Sequence, residues 1–466
     1  MRRLVTVVLL AGLLLGSIPA LAATEPDRAA ARQWSSRFAS SAAEHAVAVA
    51  STPDGRSLFV AATAVADGDA DIVTRGVDAT SGEVLWRTPI GAADRNERAS
   101  ALAVSADGGR VFVAGSRRDQ ALRQRTWVVA MLDAATGEVL GRFGQQMPGG
   151  AEPPERVLLG GGRIFVVGRG HGSSEGFRTH HTLALAFDAA ARTTAWVRRI
   201  QPGGPGSDWA VVFDAVYDRS RHELDVAIEV EESDSRESLS VLSLDAVDGH
   251  RSWRARWLAP PQTSGEAHPR SLVVDGSRGV AYVGGDFVSQ CCVVVAFETG
   301  SGDRLWKSSF GRPSAGTVEE IAVSPDGKAI YGVAHEWSSL ALHGFAFRLD
   351  TRTGAVVWDR RVMPTSEEFD TPPVGLTLTT TDQVIATFGL LPVPCEIGPC
   401  AIQEIDSAFL TAAFAADDGQ RSWRDVFGGK TYDWPTDVVG TQSRAAACGT
   451  FDRNQHVHVG CVGYAT

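Results

Sequence analysis

Short apolar, strand-like runs separated by tight turns follow one another along most of the chain. Residues 99–143 show the unit most plainly: Ala99–Val104, Arg110–Gly115, Thr126–Asp133 and Glu138–Phe143 predict four short strands. An acidic residue ends the third strand, a Thr-Gly or Asp-Gly pair makes the next turn, and a Trp begins the body of the fourth in most copies.

This punctuation recurs about every 55 residues, a period that signals a repeat architecture. Asp78-Gly82-Trp86, Asp245-Gly249-Trp253 and Asp350-Gly354-Trp358 carry the full acid, Gly, Trp spacing. Glu298-Gly302-Trp306 changes the acid and Ala415-Gly419-Trp423 loses it. Asp133-Gly137 is followed by Gly141 in place of the Trp, and Asp188 and Trp196 flank Arg192 in place of the Gly. Turn clusters such as Thr52-Pro-Asp-Gly55, Gly160-Gly-Gly162 and Pro325-Asp-Gly327 keep step with the Trp positions. A Gly in the turn supplies backbone freedom, and a Trp at a fixed place supplies an apolar plate that packs one sheet on the next. A four-stranded sheet alone leaves its faces and edges open, and repetition around a ring covers them.

Seven units end near residues 90, 144, 200, 258, 310, 362 and 428. An eighth is divided between the chain ends. Residues 33–38, with Trp34, read as a fourth strand that has no first three, and 437–466 read as three strands that have no fourth. The expectation is an all-β, eight-bladed propeller over 23–466, closed by pairing the N-terminal strand with the C-terminal blade. A seven-bladed ring with a loose N-terminal segment is the alternative. Residues 1–22, with Arg2 and Arg3, an apolar stretch and Ala20-Leu21-Ala22, read as a secretory signal peptide, with a retained N-terminal anchor as the alternative.

The segments Asp78-Ala-Thr-Ser-Gly-Glu-Val-Leu-Trp86, Asp350-Thr-Arg-Thr-Gly-Ala-Val-Val-Trp358 and Thr299-Gly-Ser-Gly-Asp-Arg-Leu-Trp306 resemble the tryptophan-docking repeat of the pyrroloquinoline quinone-like (quinoprotein-like) propellers. The resemblance covers essentially the whole mature chain. It implies the propeller fold and admits two kinds of function, interaction scaffolds and dehydrogenases. The dehydrogenases bind the quinone near the axis with Ca²⁺ held by Glu and Asn side chains. No segment here matches those motifs, and the chain has only Asn96 and Asn454, so no catalytic, cofactor or metal residue is carried over.

Six cysteines in an exported chain admit disulfides. Cys448 and Cys461 lie symmetrically about Asn454-Gln455 and would face each other across a hairpin, and Cys395 and Cys400 can close a small loop. Cys291 and Cys292 either bond to each other or stay as small buried hydrophobes. The formal net charge of −11 disfavours nucleic acid and anionic membranes as partners. No stretch after the signal is long and apolar enough to insert stably in a membrane, and no Cys precedes residue 291 to carry an N-terminal lipid. Lys occurs only at 307, 328 and 430 in an Arg- and Ala-rich chain, which points to a bacterial genome of high G+C content.

Three weaker chemical signals read as structural. Asp67, Asp69 and Asp71 alternate as Ca²⁺ ligands do, with Asp78 at the twelfth place, but read as a solvated hairpin tip. His171, His180 and His181 fall in a predicted loop and His456 and His458 on the last strand, all as surface imidazoles. The acidic run 229–234 reads as a solvated strand end. The functional expectation is a secreted or periplasmic, monomeric binding or protein-interaction scaffold without catalysis or cofactor. Its partner would be a protein or small molecule at a loop face or the central funnel. The alternative is a quinone- and Ca²⁺-dependent dehydrogenase-like enzyme or a propeller hydrolase.

Overall fold

The protein is described from a computed structural model, which covers residues 28–29, 32–38, 40–66, 68–91, 96–119, 124–147, 150–174, 177–200, 209–232, 237–258, 267–287, 290–311, 316–338, 341–363, 369–392, 407–428, 433–441, 443–453 and 456–466. Eight antiparallel sheets, each built on four strands, form the ring of an eight-bladed propeller. Blades 1 to 7 span residues 43–89, 97–146, 151–200, 210–258, 267–309, 316–361 and 373–428. Blade 8 joins Asp433–Thr441, Arg444–Arg453 and His456–Ala465 to the N-terminal strand Arg32–Phe38. Residues 1–27 and the Cys395–Cys400 segment lie outside the described residues.

The ring closes with Trp34 opposite Gly463 and Ser36 opposite Cys461. Cys461 is opposite Cys448 on the neighbouring strand, and the two are disulfide-bonded. Just upstream, Arg28–Ala29 run parallel to the outer strand of blade 7, so the N-terminal segment straddles blades 7 and 8. Arg32 ties the same seam by pairing with Asp425 at 2.6 Å.

The acid-to-Gly spacing has a local cause. In blade 2 the Asp133 carboxylate accepts from the Ala135 and Thr136 amides, while Gly137 donates to the Asp133 carbonyl with φ of 73°. That left-handed turn leaves Gly137 bare beneath the neighbouring Trp. A Cβ there would stand 2.5 Å from the Trp86 ring, so any larger residue displaces the indole.

Five of the repeat Trp residues therefore dock on a turn glycine of the next blade. The Trp34, Trp86, Trp196, Trp306 and Trp358 indoles donate to the carbonyls of Ala79, Ala134, Ala246, Thr351 and Ala416, at 2.9–3.2 Å. Their rings lie on Gly82, Gly137, Gly249, Gly354 and Gly419. Three seams depart from the rule, that between blades 2 and 3 because Gly141 and Arg192 replace the Trp and the Gly. Trp253 turns back to donate to Glu223 of its own blade at 3.1 Å, and Gly302 packs on the Arg254 backbone instead of the indole. Trp423 meets blade 8, which has no third-to-fourth turn, and stacks on Tyr464 with ring centres 5.0 Å apart.

Candidate functional site: the axial recess

The first strand of every blade runs along the ring axis, and all eight carry a β-bulge at the same height. The register slips past Val47, Ser100, Glu155, Phe213, Arg270, Glu319, Val374 and Thr436. A bulge sets an extra residue against the partner strand and re-aims side chains. Around these bulges lies a recess of about 440 Å³ to which every blade contributes. It sits toward the end of the ring where the blade-to-blade connections and the second-to-third-strand loops emerge. The Trp belt lies toward the opposite end, and none of its residues lines the recess.

The lining is lopsided. Blades 1, 2 and 7 contribute mostly small or apolar residues, including Val47, Ala101, Leu102 and Val374. Blades 3 to 6 and 8 contribute five carboxylates, Glu155, Asp214, Glu319, Glu320 and Asp437, against two guanidiniums, Arg156 and Arg270. Some of these acids also join blades. Asp214 accepts from the Leu272 amide at 2.8 Å and Glu320 from the Leu376 amide at 2.7 Å, each on the following blade. Arg156 pairs with Asp214 at 2.7 Å, which holds its guanidinium above its ordinary value.

The remaining acids are raised chiefly by burial, although Arg169 pairs with Glu155 at 2.5 Å. Burial pushes Glu155 up to about 7 despite Arg169 and Arg156. Burial pushes Glu320 well above the usual carboxylate range, with the Asp437 charge adding to it, and raises Asp437 as well. Glu319 rises for the same reason. A cation entering the recess would restore their ionised forms.

A pyrroloquinoline quinone does not fit this lining. The quinone is planar and itself a polycarboxylate, whereas the recess presents an excess of carboxylates and, among its described lining residues, neither an aromatic plate nor an asparagine. Phe213, at the blade 4 bulge, has the guanidiniums of Arg169 and Arg270 over its ring at 4.9 and 5.3 Å.

The weaker sequence signals resolve differently. Asp69 and Asp71 begin a strand that Asp78 ends, about 30 Å away at strand rise, so they do not close one Ca²⁺ loop; Asp67 lies outside the described residues. His171, His180 and His181 are on paired strands instead of a loop, and His181 is buried, which pushes it down to about 4. Glu229 is also buried, against the expectation of a solvated acidic run. Cys292 is buried, and the Cys291 side chain lies outside the described residues. The axial residues were missed because bulges leave no fixed residue type. The available signal was Pro just before the slip, at Pro154, Pro269, Pro373 and Pro435, where a strand tolerates a missing amide.

No family model matches the sequence, and no curated protein matches it. Solved structures share the fold at low identity. BamB from Moraxella catarrhalis aligns over 92% of this chain and 98% of its own, with 14% identity and a TM-score of 0.50. Quinohemoprotein alcohol dehydrogenase from Comamonas testosteroni aligns over 93% and 76%, with 11% identity and a TM-score of 0.54. Sqt1 from Chaetomium thermophilum, bound to the N-terminus of ribosomal protein L10, aligns over 91% and 97%, with 13% identity and a TM-score of 0.53. The chain is thus a β-propeller similar in fold both to binding proteins and to a dehydrogenase.

Proposed function

We propose that the chain is an exported, non-catalytic binding propeller. Its partner docks on the loop-bearing face and places a cationic group, an ammonium or guanidinium, in the axial recess. One observation carries this reading: eight bulged strands converge on a recess whose carboxylates outnumber its guanidiniums, and burial holds Glu155, Glu319, Glu320 and Asp437 above their ordinary pKa. The apolar walls from blades 1, 2 and 7 suit the aliphatic stem of a Lys or Arg side chain. A propeller of the same fold class, Sqt1, engages the N-terminal segment of another protein, which supports a peptide as the partner.

Calorimetric titration of the chain from residue 23 with a Lys/Arg-rich peptide, an acidic peptide of equal length and free spermidine tests the reading. The basic peptide is expected to bind and to lose at least about tenfold in affinity with Glu319→Gln or Asp437→Asn. Spermidine binding in its place would assign the site to small amines. Binding of neither cation, or equal binding of the acidic peptide, would refute the cationic site. Dye reduction with alcohols after reconstitution with quinone and Ca²⁺ would refute the non-catalytic reading.

A further inference from the structure

We infer a divalent-metal site at the seam between blades 4 and 5, built from Glu229, Glu237 and His268. The three come from separate strands: Glu229 near the end of the second strand of blade 4, Glu237 at the start of its third, and His268 near the start of the first strand of blade 5. Strand register brings the acids together, because Glu231 pairs with Glu237 and Glu229 shares the face of Glu231. One ligand atom from each of the three residues lies within 4.8 Å of the other two. A tetrahedral ion holds ligands about 2.1 Å from itself and so about 3.4 Å from one another, so the three side chains would draw inward on binding.

The orientation of His268 is the second, independent observation. Its Nδ1 lies 2.9 Å from an Asp286 carboxylate oxygen, and Nε2 faces Glu229 at 3.8 Å, beyond hydrogen-bond distance. Asp286 is itself fixed, because its other oxygen accepts the Thr317 hydroxyl of blade 6 at 3.0 Å. A carboxylate that takes the Nδ1 proton presents the Nε2 lone pair to a metal, the outer-shell arrangement of metal-bound histidines. Here Nε2 faces Glu229, with Glu237 completing the cluster, and a cation that displaces the Nε2 proton would be shared by the imidazole and the carboxylates. One imidazole and two carboxylates suit Zn²⁺ or Mn²⁺ better than Ca²⁺, and three protein ligands leave a coordination position for water or a partner's donor atom. Glu237 and His268 are half-buried, so an ion can enter from the loop-bearing face. Asp286 is a positioning residue.

The site shares no ligand with the axial recess, and the experiment separates them. Chelator-treated chain from residue 23 is titrated calorimetrically with Zn²⁺ and with Mn²⁺, alongside His268→Ala, Glu237→Gln, Asp286→Asn, Asp437→Asn in the recess and His458→Ala on blade 8. Circular dichroism without metal verifies each fold. The expected result is one ion per chain with at least one of the metals. His268→Ala and Glu237→Gln should abolish this binding, Asp286→Asn should weaken it about 10–100-fold, and the recess and blade 8 variants should leave it unchanged. Absence of stoichiometric binding of either ion overturns the site. So does binding that survives both His268→Ala and Glu237→Gln, or that is lost with Asp437→Asn or His458→Ala.

Discussion

Arg192 of blade 3 fills the place that a Trp at position 141 of blade 2 would occupy. Its Nη2 donates to the Leu140 carbonyl at 3.1 Å, and its guanidinium carbon lies 3.6 Å from where a Cβ on Gly141 would stand. The two irregular copies of the repeat are therefore one compensated exchange. Losing the indole on one blade removes the need for a bare turn on the next, and Arg192 holds φ of 57° in the position a glycine takes elsewhere. Gly141→Trp alone should be destabilising, because the ring collides with Arg192. Adding Arg192→Gly should recover stability by restoring the docking geometry. A denaturant double-mutant cycle should give a favourable coupling of about 1–3 kcal/mol. Strict additivity would show that these positions do not communicate.

Trp34 should count as much as any interior Trp, although it lies close to the start of the chain. It is buried and donates to Ala79 of blade 1, so it seals the seam between the last blade and the first. Trp34→Ala is expected to cost about 3–5 kcal/mol in chemical denaturation. Removal of residues 23–38 should lower the melting temperature further, because it exposes the edge of His456–Ala465. An unchanged melting temperature after that truncation would be incompatible with strand-mediated closure.

The Cys448–Cys461 bond spans a sequence separation of 13, and both residues are fully buried. Restricting a loop of that size in the unfolded chain is worth about 3 kcal/mol. Cys448→Ser with Cys461→Ser should be destabilised by about that amount plus the burial of two hydroxyls. Because the bond is enclosed, mild reductant should act on the native protein slowly and on the denatured protein at once, as thiol titration over time will report.

Asp437 shares the recess with Glu320 and Arg156, and burial holds its carboxyl above the usual range. A group whose folded pKa is raised binds more protons folded than unfolded. Its contribution to stability therefore falls as pH rises from about 4, the unfolded carboxylate value, toward its folded value. Asp437→Asn should therefore gain stability relative to the parent steadily from pH 4 toward pH 7.5, measured as the difference in denaturation midpoints. The affinity of a cationic peptide for the parent should rise over the same interval as the carboxyls ionise. A constant difference across this range would mean that Asp437 titrates normally.

The ring and its closure were legible in the sequence because they depend on residues with few substitutes. Asp133, Gly137 and Trp86 form a turn and a docking surface that spacing alone reveals, and Trp34 marks the displaced strand by the same signature. The departure at Trp253 was not legible, since it depends on Glu223, distant in sequence, competing for the indole proton. The recess was equally hidden. Its bulge residues include Val47, Phe213 and Arg270, which share a height in the fold and no chemistry in common. His268 and Asp286 meet because first and second strands pair, and only the register places them opposite each other.

The strand Arg32–Phe38 finds its partner in His456–Ala465, more than 400 residues along the chain, with Arg32 standing opposite Tyr464. Until both strands are present, the chain holds an orphan ribbon on one side and an unfinished circle on the other. Loss of His456–Ala465 therefore leaves the same open wheel as loss of Arg32–Phe38.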